Sequence, residues 1–387
     1  MLFASLQTMK ILFLPKWYPH VDDIQHGIFI KNQALALSKL AQVGVLFVVT
    51  SGLVKEDKIE IIREGNYFSL TYYFPKKSNR LFSLFSYYKA FSKAQAKFET
   101  EWGKPEVIIL YILGRNYKMY KKHYSGIPFI VSEQWSGYLN GGIERYIFLK
   151  RRNTITALKN ADQIIAVSDK LSIALQKYSQ REKIEVISNI VFTSGITENI
   201  IKNEIQVLTV ADLDDKIKNI SGMIQALSQI KLNHKVHFTI IGEGEDEVSL
   251  KKLALSKASP NFSVEFKKRM PHNELLKQYA NCNFYLLNSE VETFCVSAAE
   301  AVASGRSVVA TRCGGPEKFL NEKNSILTEL RQPGMLVYSI SKMIEKLEKG
   351  EFPPDEIAKT IEKEYGADNI AKRYLKVLEA TINKKNG

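Results

Sequence analysis

The sequence predicts an α/β protein of two doubly wound, Rossmann-like domains, and three observations carry that prediction. Short apolar runs rich in β-branched residues and Phe recur along the chain, each is followed by a segment of helical periodicity, and the alternation is present in both halves. The length agrees, because 387 residues correspond to two or three domains at about 150 residues each. With 45% hydrophobic and 25% charged residues, the chain supports sizeable cores and is neither disordered nor low-complexity.

In the first half, strands are expected at 10–15, 43–50, 106–110, 128–131, 163–167 and 184–187, built on runs such as Ile11-Leu12-Phe13-Leu14 and Val107-Ile108-Ile109-Leu110. Helices are expected at 28–40, 81–98, 146–157 and 170–177. In the second half, strands are expected at 206–210, 236–241, 264–266, 284–287 and 307–310, alternating with helices near 220–229, 246–255, 273–279 and 296–304. The last of these is Ala-rich and closed by Gly305. Residues 191–204 are polar and aperiodic, which makes them the expected linker. The expected domains are therefore 1–195 and 196–366, with a C-terminal helix at about 367–387 returning to the first. Open parallel sheets bind ligands beyond the carboxyl ends of their strands, so a cleft between two such domains is the expected site.

No apolar run approaches the roughly 18 residues of a membrane-spanning helix. The first nine residues carry no basic residue ahead of their mildly apolar stretch, so an export signal is not expected, and Met9 offers a second start. Cys282, Cys295 and Cys313 are too few for a disulfide framework, which fits a cytoplasmic location. His234 and His237 fall in one expected strand, on opposite faces, and no zinc site is readable. Residues 1–200 hold 27 Lys and Arg against 16 Asp and Glu, a balance of +11, whereas 201–387 hold 27 against 25, or +2. The basic half calls for an anionic partner. Without zinc-finger or aromatic RNA-binding signatures, nucleic acid is excluded in favour of a membrane surface or an anionic acceptor.

The most informative segment runs from Ser289 to Gly305, with Glu292 at the expected start of a helix and Glu300 eight residues on. Eight helical residues leave about 80° between the two directions and about 12 Å along the axis, so both carboxylates can border one groove. Backbone N–H groups at Thr293, Phe294, Cys295 and Val296 would lie at the positive end of the helix dipole, where a phosphate is favoured. A nucleotide sugar suits that arrangement. Spacing alone leaves a second reading equally open, with Glu292 as an electrostatic cap and Glu300 on a solvated face.

With Glu292-x7-Glu300 and the downstream run from Val308 through Gly314-Gly315-Pro316-Glu317, this region resembles the nucleotide-sugar motif of glycosyltransferase family 4, whose members have the GT-B fold. Trp17-Tyr18-Pro19 with Gly27-Ile28-Phe29-Ile30-Lys31, the run Ala161 to Ser168, Val210 to Lys218, Ile240-Ile241-Gly242-Glu243-Gly244 and Met270-Pro271-His272 match in order. The resemblance implies that Glu292 is catalytic and holds donor-sugar hydroxyls near the anomeric centre, Glu300 holds the ribose and Lys218 the diphosphate. It also implies that Gly27 lies in a loop closing on the donor and that the backbone near Met270 meets the base.

Three departures stand out. Ala211-Asp212 replaces the family's Gly-Arg, so the diphosphate-clamping arginine is missing, which leaves Lys216 or Arg312 as substitutes, or the diphosphate to Lys218 and the helix end alone. Val186-Ile187-Ser188-Asn189-Ile190 replaces an Ile-Pro-Asn-Gly turn. Glu133-Gln134-Trp135 stands where relatives often place a histidine, which makes these three the acceptor-side candidates.

The resemblance implies a retaining hexosyltransferase that takes a nucleotide-diphosphate sugar as donor and needs no metal or other cofactor. The acceptor would be a saccharide, lipid-linked, in surface polysaccharide or glycolipid synthesis on the inner face of the cytoplasmic membrane. Asp212-Leu213-Asp214 matches the metal-binding Asp-x-Asp of other glycosyltransferases only as an isolated pair. The competing readings are a nucleotide-sugar epimerase of the same fold and a non-enzymatic two-domain binder. Membrane docking is expected through residues 76–93, where basic and aromatic residues mix, with Lys150-Arg151-Arg152 adding charge. Helical spacing of Leu81, Leu84, Phe85, Tyr88 and Phe91 equally allows that stretch to be core.

Overall fold

The computed structural model describes residues 9–76, 80–114, 116–193, 195–230 and 234–386, with only the backbone described at 80–84, 362 and 386. Two compact units emerge: Met1–Ile190 together with Ala367–Gly387, and Val191–Gly366.

The first unit holds strands β1 (Lys10–Pro15), β2 (Gln42–Ser51), β3 (Lys58–Glu64), β4 (Tyr67–Pro75), β5 (Val107–Tyr111), β6 (Phe129–Glu133), β7 (Gln163–Ala166) and β8 (Glu185–Val186). They form one sheet in the order β3-β4-β2-β1-β5-β6-β7-β8, parallel except for the β3–β4 pair. Ile11 of β1 lies opposite Val43 on one side and Val107 on the other. All three are fully buried, which is why β1, β2 and β5 read as unbroken apolar runs.

The β3–β4 hairpin departs from the expected pattern. Its β4 is buried from Tyr67 to Phe74, yet Ser69 and Thr71 interrupt the apolar run, while β3 is almost wholly exposed. The legible signal is Gly65-Asn66 between them: Glu64 pairs with Tyr67 and Gly65 takes φ 57°, a two-residue hairpin turn. In the helix Arg80–Trp102 the buried stripe runs through Ala90, Phe91, Ala94 and Phe98, while Phe85 and Tyr88 point outward at 74% and 40% exposure. Of the expected core spacing, Phe91 alone is therefore core among 85–91; the side chains of Leu81 and Leu84, and residues 77–79 of the basic segment, lie outside the described residues. The helix Ala367–Asn386 closes the unit, its buried Tyr374 bonding to Ser132 Oγ at 3.1 Å and Gln33 Oε1 at 3.4 Å.

The second unit holds β9 (Glu204–Val210), β10 (Lys235–Ile241), β11 (Phe262–Lys267), β12 (Phe284–Leu287), β13 (Ser307–Thr311) and β14 (Ser325–Thr328). The sheet order is β11-β10-β9-β12-β13-β14 and every pair is parallel. Loops following Val210, Lys267, Leu287 and Thr311 therefore gather at one edge. Residues 191–193 and 195–203 have no regular structure, yet they are bound into this unit. Arg306, fully buried, donates to the carbonyls of Thr197 at 3.0 Å and Ala280 at 2.9 Å, and Asn199 exchanges bonds with Asn283 at 2.7 and 2.9 Å. A buried guanidinium needs such a set of carbonyls, so the segment is fixed rather than slack.

Candidate active site

Glu292 is not on the helix. The helix spans Val296–Ala303, and Glu292 lies four residues earlier, where its N–H donates to the Cys313 carbonyl at 3.0 Å and its carbonyl accepts from Gly315 N–H at 2.9 Å. The eight-residue helical rotation expected between Glu292 and Glu300 therefore does not apply. Close approach sets this geometry: a Cβ on Gly315 would fall 2.2 Å from the Thr293 carbonyl, so only glycine lets the two loops pair. Cys295 precedes the helix in the left-handed region at φ 66°. Burial, with the Glu292 charge second, pushes its thiol up to about 12.

The Glu292 carboxylate, 9% exposed, accepts from Lys218 Nζ at 2.6 Å and Ser289 Oγ at 2.8 Å. Lys218 ends the short helix Asp215–Lys218 after β9. Burial is the largest single influence and works against its ammonium, but the charge and hydrogen bond of Glu292, together with Cys295 and Asp212, hold Lys218 above the usual lysine range. Lys218 and Glu292, 74 residues apart in sequence, thus form one ion pair at the carboxyl edge of the sheet.

Glu300 points elsewhere. Only 2% exposed, it bonds to His272 Nε2 at 2.7 Å and Tyr279 Oη at 3.3 Å. Burial pushes the Glu300 carboxyl up against the opposing His272 bond, while that same bond holds His272 above its usual range. Sequence reasoning does not reach this partnership with His272; the Met270-Pro271-His272 motif is its available signal. Met270 is half-buried in the same β11 loop. Thr293 and Val296 are half-buried, whereas the Phe294 ring is 1% exposed and packs on Phe319 and Tyr365 at 5.3 and 5.5 Å. Phe294 therefore serves the core with its side chain, leaving only its backbone for a ligand.

At Asp212 the structure supplies a cation that the sequence departure conceals: Arg269 Nη2 lies 2.7 Å from Asp212 Oδ1. Neither Lys216 nor Arg312 takes that place; Arg312 pairs with Glu329 at 3.1 Å.

The acceptor-side candidates and Gly27 lie in the first unit. Glu133, 1% exposed at the end of β6, accepts from Leu113 N–H at 2.8 Å, Tyr138 Oη at 3.0 Å and Gln134 N–H at 3.3 Å, and burial raises its carboxyl despite them. Gln134 Oε1 accepts from Asn189 at 2.9 Å, while its buried Nε2 has no protein partner among the described residues. Trp135 is half-exposed and stacks on Tyr146 with centroids 5.1 Å apart at 11°. Gly27, at φ 68°, heads the helix Ile28–Leu37, and a Cβ there would meet the Trp17 carbonyl oxygen at 2.5 Å.

Residues 196–363 match the family described as "Glycosyl transferases group 1". One subunit of human phosphatidylinositol N-acetylglucosaminyltransferase is 27% identical over 230 residues, covering 58% of this chain and 47% of its own. The chain spans 42–60% of the length of the curated relatives it matches. Among solved structures, sucrose-phosphate synthase of Thermosynechococcus elongatus superposes with TM-score 0.77 at 15% identity, covering 97% of this chain and 100% of its own. Anabaena HepE in complex with UDP and glucose gives 0.70 at 18% identity, covering 96% and 100%. Residues 196–363 are thus similar to the group 1 glycosyl transferases, and the fold of the chain is GT-B.

Proposed function

We propose that the chain transfers a hexosyl residue from a nucleotide-diphosphate sugar to a lipid-linked saccharide acceptor, with retention of anomeric configuration, in surface polysaccharide or glycolipid synthesis. The observation that carries this reading is the Lys218–Glu292 pair at 2.6 Å, a half-buried cation against a buried anion at the carboxyl edge of a parallel sheet, inside the segment the family match covers.

In this reading Lys218 and Arg269 face the diphosphate, Glu292 takes donor-sugar hydroxyls, Glu300 with His272 takes the ribose, and Gly27 shapes a loop that closes on the donor. Departure of the nucleoside diphosphate leaves an oxocarbenium-like centre, stabilised by charges already in place. The acceptor hydroxyl attacks the face from which the diphosphate leaves, and the departing phosphate oxygen takes its proton. No metal is required, because Lys218 and Arg269 supply the positive charge and Arg269 occupies Asp212. The human relative's name joins an N-acetylglucosaminyl group to phosphatidylinositol, which supports a lipid-linked acceptor. Incubation with labelled nucleotide sugars, with and without a lipid extract, tests the reading. Label should move to the lipid fraction only with acceptor present; interconverted sugar with free nucleotide and no acceptor would replace transfer by epimerisation.

A further inference from the structure

Three consecutive large apolar residues, Ile147, Phe148 and Leu149, stand 71%, 75% and 67% exposed. They open the helix Phe148–Asn160, which turns Thr154, Ala157 and Leu158 inward and so leaves its first turn outside the core. Arg145, Arg151 and Arg152 are exposed beside them, and Lys150 lies over the Tyr146 ring at 3.3 Å. An apolar tip within a ring of cations is unexplained by the sheet beneath it.

We propose that Ile147-Phe148-Leu149 inserts into the surface of an anionic bilayer, with Arg145, Lys150, Arg151 and Arg152 against the lipid headgroups. This rests on the lipid-linked acceptor proposed above and names the element that meets the lipid. Apolar side chains entering the acyl boundary and cations at anionic headgroups reinforce each other, which no single uncharged or unipolar partner would do. A second copy of the chain is the poorer occupant. A two-fold interface would set the same four cations against themselves, and three side chains fall well short of the roughly 1,200 Å² that stable interfaces bury.

The placement also connects to the acceptor side. Tyr146, next to the tip, stacks on Trp135, and Trp135 adjoins Gln134, whose buried Nε2 lacks a protein partner among the described residues. A lipid held by the tip would offer its headgroup to Trp135 and Gln134 without leaving the bilayer.

Co-sedimentation of the full chain with vesicles of phosphatidylcholine alone, or mixed with phosphatidylglycerol, tests this at low and high salt. Binding only to the mixed vesicles, lost in high salt, is expected, and Phe148→Ser should lower the bound fraction about tenfold. Arg151→Glu with Arg152→Glu should do the same, while melting temperature and affinity for a nucleoside diphosphate stay unchanged in both variants. Wild-type binding by these variants, no binding by the wild type, or loss confined to a Phe85→Ser/Tyr88→Ser control would overturn the proposal. So would a dimer in sedimentation analysis that Phe148→Ser dissociates. Vesicle binding as described without any nucleotide binding would leave the docking surface standing and sink the transferase reading; nucleotide binding without vesicle binding would do the reverse.

Discussion

The two units share a doubly wound α/β plan and deploy charge in opposite ways. The first holds 32 Lys and Arg against 17 Asp and Glu, a balance of +15, and the second 22 against 24, or −2. Among the described residues of the first, Glu133 is the buried charged side chain; the second buries Glu292, Glu300 and Arg306 and nearly buries Lys218. Charge taken out of water needs a partner within bonding distance, so the second unit builds discrete pairs, and such pairs are where small-molecule chemistry is found. Charge left outside sums into a long-range field, which suits an extended anionic surface.

The comparison breaks first at Glu292. Replacing it with Gln removes the anion from the Lys218 pair while keeping the shape, and turnover should fall by about 100-fold or more, as for loss of a preorganised charge. Steady-state kinetics on labelled donor, with melting temperature as the folding control, decide this; wild-type rates would remove Glu292 from the chemistry.

Next come Lys218 and Arg269. Each is assigned a charge-assisted bond to the diphosphate worth about 1.5–3 kcal/mol, so Lys218→Ala or Arg269→Ala should weaken nucleoside diphosphate binding by roughly ten- to hundredfold. The corresponding nucleoside should be unaffected by either change. Asp212→Arg removes the carboxylate that neutralises Arg269 and adds a second guanidinium, so it should tighten diphosphate binding, the ligand's negative charge relieving the repulsion between the two cations. Calorimetric titration of both ligands separates these outcomes.

A smaller effect is expected with pH. His272 and Glu300 both have folded-state values raised above the ordinary ones, the first by its Glu300 bond and the second by burial. The folded state therefore holds more protons than the unfolded state. For His272 the added stability is complete below its ordinary value near 6.5 and is lost as pH rises through the raised value; the Glu300 contribution has the same sign, complete below its ordinary carboxylate value near 4.3 and lost as pH rises through its own raised value. Urea midpoints should fall between mildly acidic and alkaline pH, and His272→Gln should flatten that fall. An equal slope in the variant would show that the pair does not control it.

In the first unit, Gly27→Ala must place a Cβ against the Trp17 carbonyl at φ 68° and should cost about 1–3 kcal/mol, read as a lowered melting temperature. A neutral outcome would mean that the Trp17 loop yields.

What is legible in the sequence follows from range. Strands β1 and β12 have the bounds their apolar runs predict, 10–15 and 284–287, because a fully buried parallel strand writes its burial into consecutive residues. The hairpin β3–β4 escapes the pattern because polar residues break the buried run and the outer strand is exposed, leaving only Gly65-Asn66 to mark it. At the site, the Glu-x7-Glu segment and the helix ending before Gly305 can be read locally. The pairings cannot: Arg269 meets Asp212 across 57 residues and His272 meets Glu300 across 28, contacts that depend on which strand ends share an edge. The loop position of Glu292 is hidden for the same reason, since its partner Gly315 lies on the next strand's loop.

Hydrogen exchange of the full chain with and without a nucleoside diphosphate tests the central claim most directly, because it needs neither the sugar nor the acceptor to be known. Added protection should concentrate at 212–219, 268–272, 292–300 and 313–316, the loops at the carboxyl edge of the second sheet. Protection confined to other parts of the chain, or none at saturating nucleotide across uridine, adenosine and guanosine diphosphates, would contradict the assignment of the donor site to this unit.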